Sequence, residues 1–154
     1  MIQRIQSLFL LAALAFQAFL IATPLAHFIL QDGTIIDFYS KGFMTTEASK
    51  SVFLSTIALN ILSWIVLALT LITIFLFKKR ILQMRFCIYD MLLNVGVIIL
   101  LAFHIQHFKS DSNPDSFAFA ISSAVPVVNV ILLFLAFRGI RKDELLVKAY
   151  ERLR

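Results

Sequence analysis

Between Val52 and Phe77 the chain carries no Asp, Glu, Lys or Arg, and the same holds from Ser7 to Leu30 and from Phe117 to Phe137. A fourth stretch, Phe86 to Phe108, holds a single carboxylate, Asp90. At about 1.5 Å per helical residue, each is long enough to cross a hydrocarbon core about 30 Å thick. Inside such a core every backbone N–H and C=O must be paired by the protein itself, which leaves helices or a closed barrel. Barrel strands are shorter and alternate apolar with polar residues, and no such alternation runs through these stretches. The expectation is an all-α polytopic membrane protein whose four transmembrane helices, at about 7–30, 52–77, 86–108 and 117–137, form an antiparallel bundle.

Composition excludes the competing classes. The hydrophobic set makes up 60% of the chain and charged residues 15%, against about 25% charged in an average soluble domain. That surface would not stay in water, and intrinsic disorder requires the opposite composition. Cys87 is the one cysteine, so an intramolecular disulfide and a thiol–disulfide relay are both ruled out. The first apolar run follows a short basic start, as a secretory signal would. It is longer than a usual signal core, and Pro24, Leu25 and Ala26 make a poor cleavage site, so it is expected to be a retained helix.

Basic residues set the expected orientation. Arg4, Lys78, Lys79, Arg80, Arg85, Arg138, Arg141, Lys142, Lys148, Arg152 and Arg154 fall on one side of the four runs, and Lys41, Lys50 and Lys109 on the other. Both termini are therefore expected in the cytoplasm. The formal charge of +5 follows from this asymmetry, and no nucleic-acid partner is expected because no folded soluble face gathers the charge.

Outside the spans, residues 31–51 form an outer loop. Asp32-Gly33 is a turn pair, and the residues from Thr34 to Tyr39 favour strand, so a small hairpin or interfacial lid is expected. Its Phe38, Tyr39 and Phe43 are expected at the lipid–water boundary. Residues 109–116, with Asn113-Pro114, read as a simple turn into the last span. Residues 138–154 read as a separate cytoplasmic tail helix beginning near Ile140. Asp143 and Glu144 stand early and Arg152 and Arg154 late, matching the helix dipole. Glu144 and Lys148 are spaced as an ion pair, and Leu146, Ala149, Tyr150 and Leu153 share one face. Arg141, Lys142, Leu146, Tyr150 and Leu153 are the expected contacts to anionic lipid or to a protein partner.

The opening MIQRIQ and the closing RGIRKDELLV followed by RLR resemble the terminal signatures of a bacterial family described as a domain of unknown function. That resemblance implies small four-helix proteins of the inner membrane. It implies no catalytic or ligand-binding residue.

Candidate sites are sparse. His27, His104 and His107 all fall near the outer ends of their spans, and His104 and His107 share a helix face. With Asp32 or Asp37 they are weak candidates for a metal site, and His27 with His104 for haem ligation. No cofactor is expected on that basis. No G-x-S-x-G, H-E-x-x-H or phosphate-loop pattern occurs, and an enzyme is not expected. Small residues repeat every fourth position at Ala18, Ala22 and Ala26 and at Ala118, Ser122 and Pro126, spacing that suits close helix packing. Pro126 is expected to kink its span.

Each span also carries one carboxamide near its middle: Gln17, Asn60, Asn94 and Asn129. Counted from the cytoplasmic ends, Gln17, Asn94 and Asn129 lie at about 12–15 Å and Asn60 higher, with Asp90 one turn below Asn94 and within reach of Arg85 or Arg138. Exposing such groups to lipid is unfavourable, so Gln17, Asn94 and Asn129 are expected to point inward and bond across helices. The functional expectation is a non-enzymatic accessory or scaffold subunit of a larger inner-membrane complex, with a membrane-protein partner or a second copy of the chain beside the lipid bilayer. The alternatives are a small transporter or channel using the buried polar groups, and a metal- or haem-binding redox component.

Overall fold

A computed structural model describes residues 3–31, 33–45, 51–52, 56–112 and 114–152. Most of them are helical. Helix α1 is Gln3–Ala22, α2 Ile57–Phe75, α3 Arg80–Ser112 and α4 Val125–Arg152. Contacts run α1–α2, α2–α3, α3–α4 and α4–α1, so each helix packs on two neighbours around a closed ring. Three helices are long and apolar enough to cross a membrane, namely those at 57–75, 80–112 and 121–147; the apolar part of the first, Gln6–Ala22, is shorter.

The chain is not all-α. Strands β1 (Ala26–Ile29), β2 (Ile35–Tyr39), β3 (Gly42–Thr45), β4 (Ser51–Val52) and β5 (Ser116–Phe119) form one sheet in the order β4-β3-β2-β1-β5, antiparallel throughout. The expected first span therefore stops eight residues early. Thr23 closes α1 by returning both its N–H and its hydroxyl to the Phe19 carbonyl, and Pro24 offers no N–H to continue it and disfavours helix at the residue before it. The chain then turns through Gly33, at φ +75°, where only glycine is unstrained, and pairs β2 with β1. Val52, the start of the expected second span, lies in β4, and Phe117–Phe119 of the fourth lies in β5. Of residues 109–116, Lys109–Ser112 close α3 and Ser116 opens β5, so the stretch is more than a turn; Asn113 lies outside the described residues.

One face of the sheet packs on the far end of α3. The Phe108 ring lies 4.5 Å from that of Phe28 and 4.4 Å from that of Phe43, and Phe43 stacks on Phe38 at 4.6 Å. Phe38 and Phe43 are fully buried, which corrects their expected place at the lipid boundary. Leu101, Ile105, Leu20 and Leu25 complete this core. With 33 residues α3 outreaches α1, which has 20, and α2, which has 19, and its surplus turns supply the wall for the sheet.

Residues 138–152 continue α4 without a break, so there is no separate tail helix. Ile140 and Asp143 are buried, Ile140 in a second core with Leu10, Ala13, Cys87, Leu133 and Ala136. Nor does Pro126 kink its helix. It sits in the first turn of α4, where its missing N–H would have had no helical acceptor anyway. The small-residue repeats are divided in the same way, since Ala26 and Ala118 lie in strands while Ala22 ends α1.

Candidate functional site

The helix ring encloses polar side chains. Gln17, Ser63, Thr70, Thr73, Asp90, Asn94, Ser122 and Asn129 are all buried, while Leu8, Leu11, Ile61, Trp64, Leu92, Ile99, Ile131 and Phe134 are exposed on its outside. Gln17 links three helices. Its Nε2 donates to the Ser63 carbonyl of α2 at 3.3 Å, and its Oε1 accepts from Asn129 Nδ2 of α4 at 2.9 Å. Ser63 itself donates back to Leu59 at 2.8 Å.

Below this layer lies Asp90. Thr70 Oγ1 is 2.7 Å from Asp90 Oδ2 and 2.9 Å from the Val66 carbonyl. Asn94, one turn further along α3, donates to the Asp90 carbonyl at 2.9 Å. Its bond thus stays within its own helix, and does not reach across as expected. Nor does Asp90 bond to Arg85 or Arg138, both of which are exposed. Asn60, half-buried on α2, lies one turn beyond Ser63 towards the sheet. Four buried oxygens along this axis, Asn60 Oδ1, Asp90 Oδ1, Asn94 Oδ1 and Asn129 Oδ1, accept no hydrogen bond. Polar atoms buried in this way are ordinarily paired, so the axis is rich in acceptors and short of donors.

The axis closes at the other end on a contact the sequence reading did not anticipate. Gln6 Nε2 donates to Asp143 Oδ2 at 2.6 Å, fastening the start of α1 to the end of α4. Gly139 makes room for it: a Cβ there would stand 2.9 Å from Gln6 Cγ. The Gln6–Gly139–Asp143 spacing carries no local signal, because its partners are more than 130 residues apart. Beside it, Lys79, Arg80, Ile81, Leu82, Glu144 and Val147 line an open groove of about 580 Å³. Arg141, Lys142 and Leu146 are exposed on the same end of α4, so these expected contact residues lie at a surface. Leu153 lies outside the described residues, as does the side chain of Tyr150.

The histidines do not converge. His27 Nδ1 lies 2.6 Å from Asp37 Oδ1, directly across the β1–β2 pair. His104 Nδ1 bonds to the Leu100 carbonyl at 2.7 Å, and His107 faces Asp111 at 3.1 Å. Among the described residues no group of three His, Cys, Asp or Glu is placed to hold a metal ion; Asp32 lies outside them. His27 and Asp37 sit on the face of the sheet turned away from the helices, with Met44 opposite Asp37 and Ala118 opposite His27. Ile29 and Ile35, paired across β1 and β2, and Met44 are exposed there at 40%, 44% and 45%.

A family model described as a domain of unknown function, DUF4293, matches residues 2–153 of the chain. The chain belongs to that family, and no curated protein matches it.

Proposed function

We propose that this DUF4293 member is a non-enzymatic subunit of the bacterial cytoplasmic membrane, with both termini in the cytoplasm and its sheet at the outer surface, serving as an accessory or scaffold within a larger membrane complex. The inverted distribution of side chains, polar within the helix ring and apolar outside it, suits lipid as the surrounding solvent. The basic residues at the Gln6–Asp143 end suit the cytoplasmic side. An open sheet cannot sit in hydrocarbon with unpaired edges, so β1–β5 belong at or beyond the outer boundary.

The observation that carries the scaffold role is the apolar character of the sheet face turned away from the helices. Ile29, Ile35 and Met44 lie open around the His27–Asp37 pair, an apolar surface with a polar centre turned towards water. Contiguous exposed apolar groups rimmed by polar ones characterise interaction sites. Purification in mild detergent followed by mass spectrometry should recover a stoichiometric partner, and the double substitution Ile29→Lys with Met44→Lys should release it. A lone monomer recovered from several detergents contradicts this role.

A second reading, a small transporter or channel, is favoured by the unpartnered acceptors on the axis. A liposome flux that disappears with Asp90→Asn supports it.

A further inference from the structure

The carboxyl group of Asp90 is sealed from solvent among the helices. Its exposure is 0%. Among the described residues its side-chain partner is Thr70 on Oδ2, and Oδ1 accepts nothing. Among the described residues no Lys, Arg or His forms an ion pair with it; α2 brings Thr70, and Leu10 and Ala13 of α1 and Leu133 and Ala136 of α4 gather with Cys87 in one buried apolar cluster. Cys87, one turn earlier on α3, is the titratable group next to it, and a thiol brings no positive charge. An isolated carboxylate in such surroundings is not sustained without a counter-charge.

The hydrogen bonds around Thr70 point to what supplies the charge. A hydroxyl has one proton to donate, yet Thr70 Oγ1 stands at bonding distance from two oxygens, the Val66 carbonyl at 2.9 Å and the Asp90 carboxyl at 2.7 Å. Both contacts are satisfied together when the carboxyl itself carries a proton and donates it to Thr70 Oγ1, while Thr70 donates to Val66. When the carboxyl is bare, Thr70 must abandon Val66 to serve it. Asn94 Oδ1, also buried and unpartnered, stands one turn along the same helix as a second oxygen for a cation.

We infer that Asp90, with Thr70 and Asn94, forms an intramembrane binding site for a small monovalent cation, the proton or a sodium ion, with the Thr70 hydroxyl switching partner between the loaded and the empty states. The inference requires α3 to lie in the membrane. It does not require the scaffold role, and it holds whether or not anything is carried across.

Dicyclohexylcarbodiimide, an apolar reagent that adds to protonated carboxyl groups, tests it on the full-length protein in detergent and in liposomes, read by mass spectrometry of the intact chain and its peptides. Asp90 should be labelled, with a rate that falls as pH rises, and Asp90→Asn should abolish the adduct. Thr70→Val should shift the pH at which labelling is half-lost, and a merely structural threonine would leave it in place. Protection by sodium but not by potassium at equal ionic strength identifies the sodium ion; equal labelling in both salts identifies the proton. Labelling at one rate across the whole pH range, in either salt, overturns the inference, because the carboxyl would then be a permanently neutral clamp. So does an unlabelled Asp90 in a preparation whose Asp90→Asn variant melts at the same temperature.

Discussion

Around Gln17 the four helices enclose amides, hydroxyls and a carboxyl, whereas around Phe28 the sheet and the last turns of α3 enclose Phe38, Phe43 and Phe108, each at most 2% exposed. The two regions are joined by buried leucines and valines, and the ring has an apolar core of its own at Leu10, Ala13, Leu133 and Ala136, yet the ring adds to it a layer of buried amides and a carboxyl. On the proposed placement of the helices in lipid and of the sheet at its outer surface, the difference lies in what surrounds them. Where water is outside, apolar rings are driven inward by their own hydration. Where lipid is outside, that drive vanishes, and what is driven inward is whatever hydrocarbon cannot solvate. One chain thus follows two packing rules within a few turns of α3.

The strongest test of this contrast is in the aromatic core. Phe28→Ala removes a ring in contact with three others, those of Phe43, Phe108 and Phe117, and should cost about 3–5 kcal/mol. Limited proteolysis should then cut between β1 and β3 while the helices stay protected. Protection unchanged in the sheet would mean that its core does not hold it together.

At the opposite end of the helix ring, Gln6→Ala leaves Asp143 buried without its donor and should cost about 1.5–3 kcal/mol. Gly139→Ala should reproduce part of that loss, by pushing Gln6 away with a new Cβ. Thermal unfolding in detergent measures both. Removing the residues after Lys142 should be destabilising for the same reason, since Asp143 goes with them.

The mid-helix layer should respond less. Gln17→Leu breaks two interhelical bonds and should cost about 1 kcal/mol each. Asn94→Leu breaks only a bond within its own helix and should cost less than Gln17→Leu in the same melt. A larger loss for Asn94 would show that its free oxygen has a partner in the membrane, and would sharpen the contrast with the sheet into one of function. The smallest effect belongs to the half-exposed His27–Asp37 pair, where His27→Ala should cost about 0.2–1 kcal/mol.

How much of this was legible in the sequence depended on whether the information was local. Long apolar runs located α2 and the middle of α3, because length and hydropathy are properties of a window. They misplaced the ends of the first and last spans, because Ala26–Ile29 and Phe117–Phe119 are as apolar as the helices beside them. The stops were nevertheless written there: Pro24, two residues past the end of α1, and Pro126, in the first turn of α4, where proline marks a helix start more often than a kink. The strand tendency of Thr34–Tyr39 was readable, but its partner β1 was concealed inside an apolar run. The inward direction of Gln17 and Asn129 followed from the cost of exposing amides to lipid. Which amide would bond to which did not, since Asn94 found an acceptor four residues back on its own helix. The Gln6–Asp143 contact, made between the two ends of the chain, had no local trace.

The place of β1 in the sheet has a consequence for how the molecule assembles. It lies between β2, which follows it at once, and β5, which emerges only after α2 and α3 have been made. Until then one edge of β1 is bare. The edge can be filled only if α3 delivers β5 to the side on which β1 already waits, where Asp115 and Ala120 donate to Ile29 and Leu25 and Ser122 to Pro24. An α3 threaded the wrong way would strand the two strands on opposite surfaces. The sheet is therefore complete only when β1 and β5 reach the same end of the helix ring, so its closure depends on the course of every helix between them.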